Sequence, residues 1–233
     1  GIQDADAGRD GLRLEINRRL GFEYGHREAL QLKSKFTVSE LGRMAGEREE
    51  LKASVSLDAP KFTREKSSFT AAEKGTILHK VMEQMDFRRP EAVREVVRGL
   101  VERQILTEEE AAAVSYQKIL GFFDSEIGKR ASGAEKLYKE VSFNIKKEMF
   151  GEKIIIQGTI DCYFEEDGKY ILLDYKSNYV GDPGDMQEIG RIAESYKVQL
   201  ELYREALEKI RGVKVEETYL YLFSIGKGIR VDQ

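Results

Sequence analysis

Apolar and polar positions follow two rhythms along the chain, and the change between them divides it. From residue 70 to about residue 123 the apolar positions recur at helical spacing. Thr70-Ala71-Ala72-Glu73 is a capping box, and it predicts a helix whose stripe is Leu78, Val81, Met82 and Met85. Pro90 opens a second helix with Val93, Val96, Val97, Leu100 and Val101 inward. Thr107-Glu108-Glu109-Glu110 repeats the box and predicts a third, running to about Phe123, before a polar segment that is irregular or helical. From Leu137 the period becomes two. Tyr138 to Ile145 predicts a strand with Val141, Phe143 and Ile145 inward and Glu140 on the opposite face. Two further strands, joined by Glu165-Glu166-Asp167-Gly168-Lys169, predict an antiparallel hairpin. A loop at Gly181-Asp182-Pro183-Gly184 leads into a long helix over about 185–210, and Thr218 to Ser224 predicts a last strand, apolar on both faces as at a sheet centre. Upstream, Thr37 to Leu41 opens a short helix that Gly42 and Gly46 end or loosen. Residues 1–35 are Gly- and charge-rich and read as an N-terminal arm or linker, leaving 36–233 as the domain.

The hairpin carries the candidate chemistry. Alternation places Thr159, Asp161 and Tyr163 opposite Ile160, Cys162 and Phe164, and Leu172, Asp174 and Lys176 opposite Ile171, Leu173 and Tyr175. If the strands pair, Asp161 and Asp174 lie close with Lys176 beside them. Paired carboxylates repel unless a cation sits between them, and Mg²⁺ is bound through one or two carboxylates with waters and phosphate oxygens. A neighbouring lysine suits a phosphate. The plain alternative is a surface hairpin whose ion pair protects an edge strand. Gly75 and His79 lie four apart on the Thr70 helix. A glycine there costs roughly 1 kcal/mol relative to alanine, which predicts close approach by another backbone or a ligand. His79 itself reads either as structural or as a ligand for an ion such as Mn²⁺. Gln199 and Tyr203 are neighbours across one turn of the long helix.

Composition narrows the class. The 233 residues are 41% hydrophobic, enough for one large domain or two small ones. The apolar runs are far too short for a membrane span, no leading signal sequence is present, and a cytoplasmic location is expected. The single cysteine, Cys162, excludes an intramolecular disulfide, a cysteine-based zinc site and a four-cysteine iron–sulfur cluster. A net charge of −4 gives no overall attraction for nucleic acid. No G-x-x-x-x-G-K-[ST] loop is present, so no ATP site is expected here, and the initial glycine suggests a piece of a longer polypeptide.

Four motifs stand in order: Gly75 to His79, Gly158 to Asp161, Asp174-Tyr175-Lys176-Ser177, and Gln199 to Tyr203. Together they resemble the RecB-family nuclease module of the PD-(D/E)XK superfamily. The text around them, at Lys35 to Leu41, Glu73 to His79 and Tyr196 to Tyr203, is similar to the C-terminal nuclease domain of the helicase-bearing subunit in the AddAB family. The resemblance implies an α/β fold, a restriction-endonuclease-like core with a central mixed β-sheet flanked by α-helices and additional N-terminal helices. It implies a Mg²⁺-dependent DNA exonuclease, with Mn²⁺ possible and no iron–sulfur cluster. His79, Asp161 and Asp174 would be side-chain metal ligands with the Tyr175 carbonyl, and Lys176 the catalytic lysine beside the two aspartates. Gln199 and Tyr203 would support the site or touch DNA, and Glu140 stands where relatives often carry an acid. The implied partners are DNA, as a single strand fed from a duplex end, helicase domains of the parent chain and an AddB-like subunit, in processing double-strand breaks for recombinational repair. Two rivals remain: a non-catalytic nuclease fold that holds DNA or docks a partner, and a hydrolase of small phosphates. The latter predicts an enclosed pocket; the nuclease predicts an open channel near basic residues such as Lys146, Lys147, Lys176 and Arg204.

Overall fold

Thr37 is the first local signal to take shape in the computed structural model, which describes residues 35–50, 69–149 and 151–231. Its hydroxyl accepts from the Glu40 N–H at 3.2 Å while the Glu40 carboxylate accepts from the Thr37 N–H at 2.8 Å. This box joins strand β1 (Lys35–Thr37) to helix α1 (Val38–Glu50). The helix runs past Gly42 and Gly46, which were expected to end or loosen it. The cap, and the burial of Val38 and Leu41 in a core, outweigh the roughly 1 kcal/mol that each glycine costs. The arm expected over residues 1–35 lies outside the described residues apart from Lys35, which is already strand.

The Thr70 and Thr107 boxes both close. Helix α2 (Ala71–Gln84) buries Ile77, Val81 and Met82, and a turn at Pro90–Ala92 leads into α3 (Val93–Glu102). The third predicted helix is two, α4 (Glu108–Ala112) and α5 (Tyr116–Asp124), because Val114 between them turns into the core and Ser115 restarts the chain in an extended conformation. The polar segment after it is helical, α6 (Glu126–Gly133).

The strands are β2 (Lys136–Met149), β3 (Glu152–Glu166), β4 (Lys169–Lys176), β5 (Val215–Leu222) and β6 (Lys227–Arg230), with the long helix α7 (Met186–Arg211) between β4 and β5. β3 and β4 form the expected hairpin, whose turn residues Asp167 and Gly168 both have positive φ, the requirement of a two-residue turn that follows strand twist. β4 and β5 are parallel, so the sheet is mixed. β6, a short and mostly exposed strand, has no signal in the pattern but pairs with β5 through a hairpin at Gly226.

Two cores lie on opposite faces of the sheet. Helices α2 to α6 pack on Cys162, Phe164, Ile171, Leu173 and Tyr175; α1 and α7 pack on Ile156, Ile160, Tyr163 and Leu172. Ile160 and Cys162, predicted to share a face, are therefore on opposite ones. The cause is a break in the β2–β3 ladder. Pairing runs Lys139↔Cys162 and Val141↔Ile160 but skips Glu140 and Asp161, and Glu140 has φ of 49°. That left-handed residue turns both strands over, and period two restarts out of phase on the other side.

The second structural feature is the edge of β3. β2 covers one edge for the whole length, whereas the other is shared: β1 pairs with residues 155–157 and β4 with residues 162–166. Residues 158–161, the Gly158 to Asp161 motif, have no strand neighbour there among the described residues.

Away from this gap, Arg130 of α6 ties the sheet to its helical layer, donating to Glu166 at 2.7 Å and to Glu217 at 2.8 Å. Hydrogen bonding to Arg130 holds the Glu217 carboxyl below its usual 4.5, so it is charged in the folded chain at pH values where the unfolded chain takes a proton. Its contribution is full above about pH 4.5 and is lost as the pH falls through the native value. Glu217→Gln is expected to lower stability by about 1 kcal/mol at pH 7 and by progressively less as the pH falls below about 4.5, as read from urea melts across that range; an equal loss throughout would contradict the ion-pair account.

Candidate active site

Gly158 begins the gap. A methyl group there would stand 2.9 Å from Phe143 of β2 and Val38 of α1, so only glycine lets both sides close over this edge. Asp161 ends the gap. Its Oδ2 accepts the Tyr175 N–H at 2.8 Å, filling the place of the missing strand partner. α2 brings in the histidine on the other side: His79 Nε2 lies 3.2 Å from the Tyr175 carbonyl, and Nδ1 lies 3.4 Å from Asp161 Oδ1 and 4.0 Å from Glu140 Oε1. One turn earlier, a methyl on Gly75 would meet Ser177 Oγ at 2.8 Å. The close neighbour expected at Gly75 is thus the side chain of Ser177, and the helix can lie against the Asp174-Tyr175-Lys176-Ser177 segment.

The predicted residues fall into two adjoining clusters. His79, Glu140 and Asp161 offer ligand atoms all within 4.8 Å of one another. Two ligands about 2.1 Å from one Mg²⁺ stand at most about 4.2 Å apart, so a small inward movement would let these three share an ion. Asp174, Lys176 and Gln199 form the second cluster, on the α7 face, as alternation along the regular strand β4 predicts. Gln199 Nε2 donates to Asp174 Oδ1 at 3.1 Å, and Lys176 Nζ lies 2.5 Å from Asp174 Oδ2. The Tyr175 backbone links the two clusters. Tyr203, one turn beyond Gln199, is buried and packs edge-on against Phe143.

The charges are arranged at some cost. Burial pushes the Asp174 carboxyl up, and Lys176 only partly offsets it. Burial also works against Asp161, but the hydrogen bond and charge of His79, with Lys176 and the Tyr175 N–H, hold its carboxyl below the ordinary range. His79 is raised in turn, since Asp161 outweighs the burial that would deprotonate it, and Lys176 is raised because Asp174 and Asp161 outweigh its burial. Glu140, half-buried beside Asp161, is pushed up to about 7 by that burial and by the Asp161 charge. An excess of carboxylates over cations in a small space is a site built for a positive guest.

A divalent ion fits on two counts. Asp174 Oδ2 is buried and, although Lys176 Nζ is near, has no hydrogen bond of acceptable geometry. The donor set of imidazole, carboxylates and a backbone carbonyl is the hard to borderline kind that suits Mg²⁺ or Mn²⁺. Of the four cations suggested for a channel, only Lys176 is here. Lys147 pairs with Glu205, Arg204 with Glu208, and Lys146 lies opposite Ile155, six residues or about 20 Å along β3 from Asp161. Two neighbours were missed by the sequence reading: the Tyr196 ring lies under Lys176, 4.9 Å from Nζ to centroid, and its hydroxyl donates to Asn178 at 2.8 Å. The available signal was Tyr196 at three residues before Gln199 on the same stripe.

A mixed sheet with helices on both faces and an acid, acid, lysine set at a break in its central hairpin is the arrangement of a nuclease of one class: the chain belongs to the PD-(D/E)XK nuclease superfamily, whose family model matches residues 51–230. Within it, the chain is 39% identical over 233 residues to an AddA-type ATP-dependent helicase/nuclease protein of Alkaliphilus oremlandii, an alignment covering 93% of this chain and 19% of that protein. The proteins of the same name from Alkaliphilus metalliredigens and a Thermoanaerobacter species are 40% and 39% identical, over 93% and 96% of this chain and 19% of each relative. The chain therefore spans about a fifth of the length of the curated relatives it matches.

Glu140 combines backbone strain with a carboxylate that burial disfavours, and both are costs a ligand would justify. Glu140→Asn tolerates the left-handed backbone and removes the charge. It is expected to raise stability by about 1 kcal/mol while weakening Mn²⁺ binding about tenfold or more. Thermal melts and calorimetric titration check the two arms, and a variant that binds Mn²⁺ as well as the parent would remove Glu140 from the ion site.

Proposed function

We propose that this site hydrolyses DNA phosphodiesters with a divalent ion, Mg²⁺ in the first place and Mn²⁺ as the alternative. The observation that carries the reading is that His79 and Asp161 both reach the Tyr175 peptide at one break in the sheet, with Asp174 and Lys176 on either side of that residue and paired with each other. His79, Asp161, Asp174 and the Tyr175 carbonyl would hold the ion, with Glu140 beside them. A bound ion supplies polarisation of a phosphodiester oxygen and a lowered pKa for attacking water.

The chain's own groups do the rest. Lys176 keeps a positive charge next to the carboxylates, where it can meet the charge that grows on the phosphate; such a positioned group is worth on the order of 10² to 10³ in rate. Gln199 fixes the orientation of Asp174, and Tyr203 packs behind Gln199. Nothing in this set reads a base edge, so cleavage should depend little on sequence.

The wider role follows from the relatives' name. We infer that residues 36–233 are the nuclease domain of a longer helicase–nuclease in the cytoplasm, acting as an exonuclease on a single strand fed from a duplex end. Its ATP site would lie elsewhere in the parent chain, an AddB-like subunit would be its partner, and the process served would be repair of double-strand breaks by recombination.

Digestion of linear single- and double-stranded DNA, with Mg²⁺ or Mn²⁺ and then with chelator, tests the reading. Lys176→Ala is expected to lose cleavage and keep Mn²⁺, whereas Asp174→Ala loses both. DNA left intact by the wild-type chain, and by its parent complex with both ions, would leave only a holding or docking module; equal Mn²⁺ affinity in wild type and Asp174→Ala would end the ligand assignment.

A further inference from the structure

The loop that leaves the site carries side chains that no step of the proposed hydrolysis uses. Five large hydrophobic side chains are exposed among the described residues, and the two most exposed, Tyr179 at 81% and Met186 at 69%, both stand on the segment running from Lys176 to the start of α7. Single exposed apolar residues need no explanation, but two on the one short segment that leaves a site do.

Tyr179 is held rather than loose. On one side, Asn178 accepts the Tyr196 hydroxyl at 2.8 Å, and the Tyr196 ring is the one that carries Lys176 Nζ. On the other, Val180 is 4% exposed and packs with Ile189, Leu200 and Leu220. A backbone anchored at 178 and at 180 presents the ring between them to solvent at little further cost in order. Three residues of chain reach about 10 Å at most, so the backbone of Tyr179 lies within that distance of the backbone of Lys176.

The charge balance favours the same ligand. With a net charge of −4, and with Lys147 and Arg204 engaged in ion pairs elsewhere, the chain has little field to draw a polyanion. Base–aromatic stacking supplies affinity that does not depend on charge, and it accepts any base because every base has a π face.

We propose that Tyr179 is a stacking platform for a base of single-stranded DNA, next to the nucleotide whose phosphate lies at Lys176. The ligand class rests on the nuclease reading of the site, but binding does not require that the chain turn over. Tyr179 is a positioning residue.

The test uses the 233-residue chain in chelator, so that no cleavage intervenes, and fluorescent single-stranded oligonucleotides of about 12 nucleotides. Tyr179→Ala is expected to weaken binding about tenfold, the loss of one stacked base, while Tyr179→Trp restores it. The slope of affinity against salt should stay the same, since no charge is removed. Replacing one nucleotide at a time by an abasic residue should reveal a single position at which the parent loses as much as Tyr179→Ala and the variant loses nothing more. Equal affinity of parent and Tyr179→Ala, the same loss at every abasic position in both, or no binding by the parent would each overturn the proposal, the first pointing to a protein surface docked on this loop instead. Should the stacking pattern appear in a chain whose wild type cuts no DNA, the hydrolytic reading would fall and the binding site would stand.

Discussion

An extended backbone that loses its neighbour along one edge must satisfy its donors and acceptors in some other way. On β4, the N–H and C=O of Tyr175 face the stretch of β3 that β1 and β4 leave uncovered. The N–H is taken by the Asp161 carboxylate and the C=O by the His79 ring. Two of the proposed metal ligands thus stand in for a missing strand, and the third, the carbonyl, is the group they serve. His79, Asp161 and this carbonyl are among the groups that would hold an ion here. The site and the defect in the sheet are one feature, which is why the proposed ligands come from three separate elements, α2, β3 and β4.

Charge explains how three carboxylates share this place. The Asp161 charge raises the proton affinity of the His79 imidazole, and the ammonium of Lys176 sits on Asp174. Burial and the Asp161 charge push the third carboxyl, Glu140, up to about 7. The arrangement is a compromise between folding and binding, with the strained backbone of Glu140 as its visible cost.

Local signals were legible in the sequence and long-range ones were not. The capping boxes at Thr70 and Thr107, the Asp167-Gly168 turn and the acid–lysine alternation on β4 each depend on residues a few positions apart, so they could be read directly. The break between α4 and α5 could not, because Val114 is turned inward by a core that only the fold assembles. β1 and β6, three and four residues long, are strands only by virtue of their neighbours. The phase change at Glu140 was hidden for a different reason: period two assumes one continuous ladder, and a single residue with positive φ ends that assumption without leaving a glycine to announce it. Asp161 was expected beside Asp174 as a cross-strand neighbour; its hydrogen bond is instead to the backbone N–H of Tyr175, the residue after Asp174.

Affinity for a substrate can come from field or from contact, and on the proposed reading this chain relies on contact. Its cations are mostly committed internally: Arg130 to Glu166 and Glu217, Lys147 to Glu205, Lys139 to the last carbonyls of α2. A nuclease that must find DNA by diffusion gains from a basic channel, since steering raises the encounter rate steeply. A nuclease placed at the exit of a motor gains nothing from it, because the strand arrives already threaded and a strong field would slow its passage. On the proposed reading, the lack of a basic channel around Asp174 and Lys176 is therefore what a processive partner requires: a site that holds each phosphate briefly, through one ion and one lysine, and lets the rest of the strand move on.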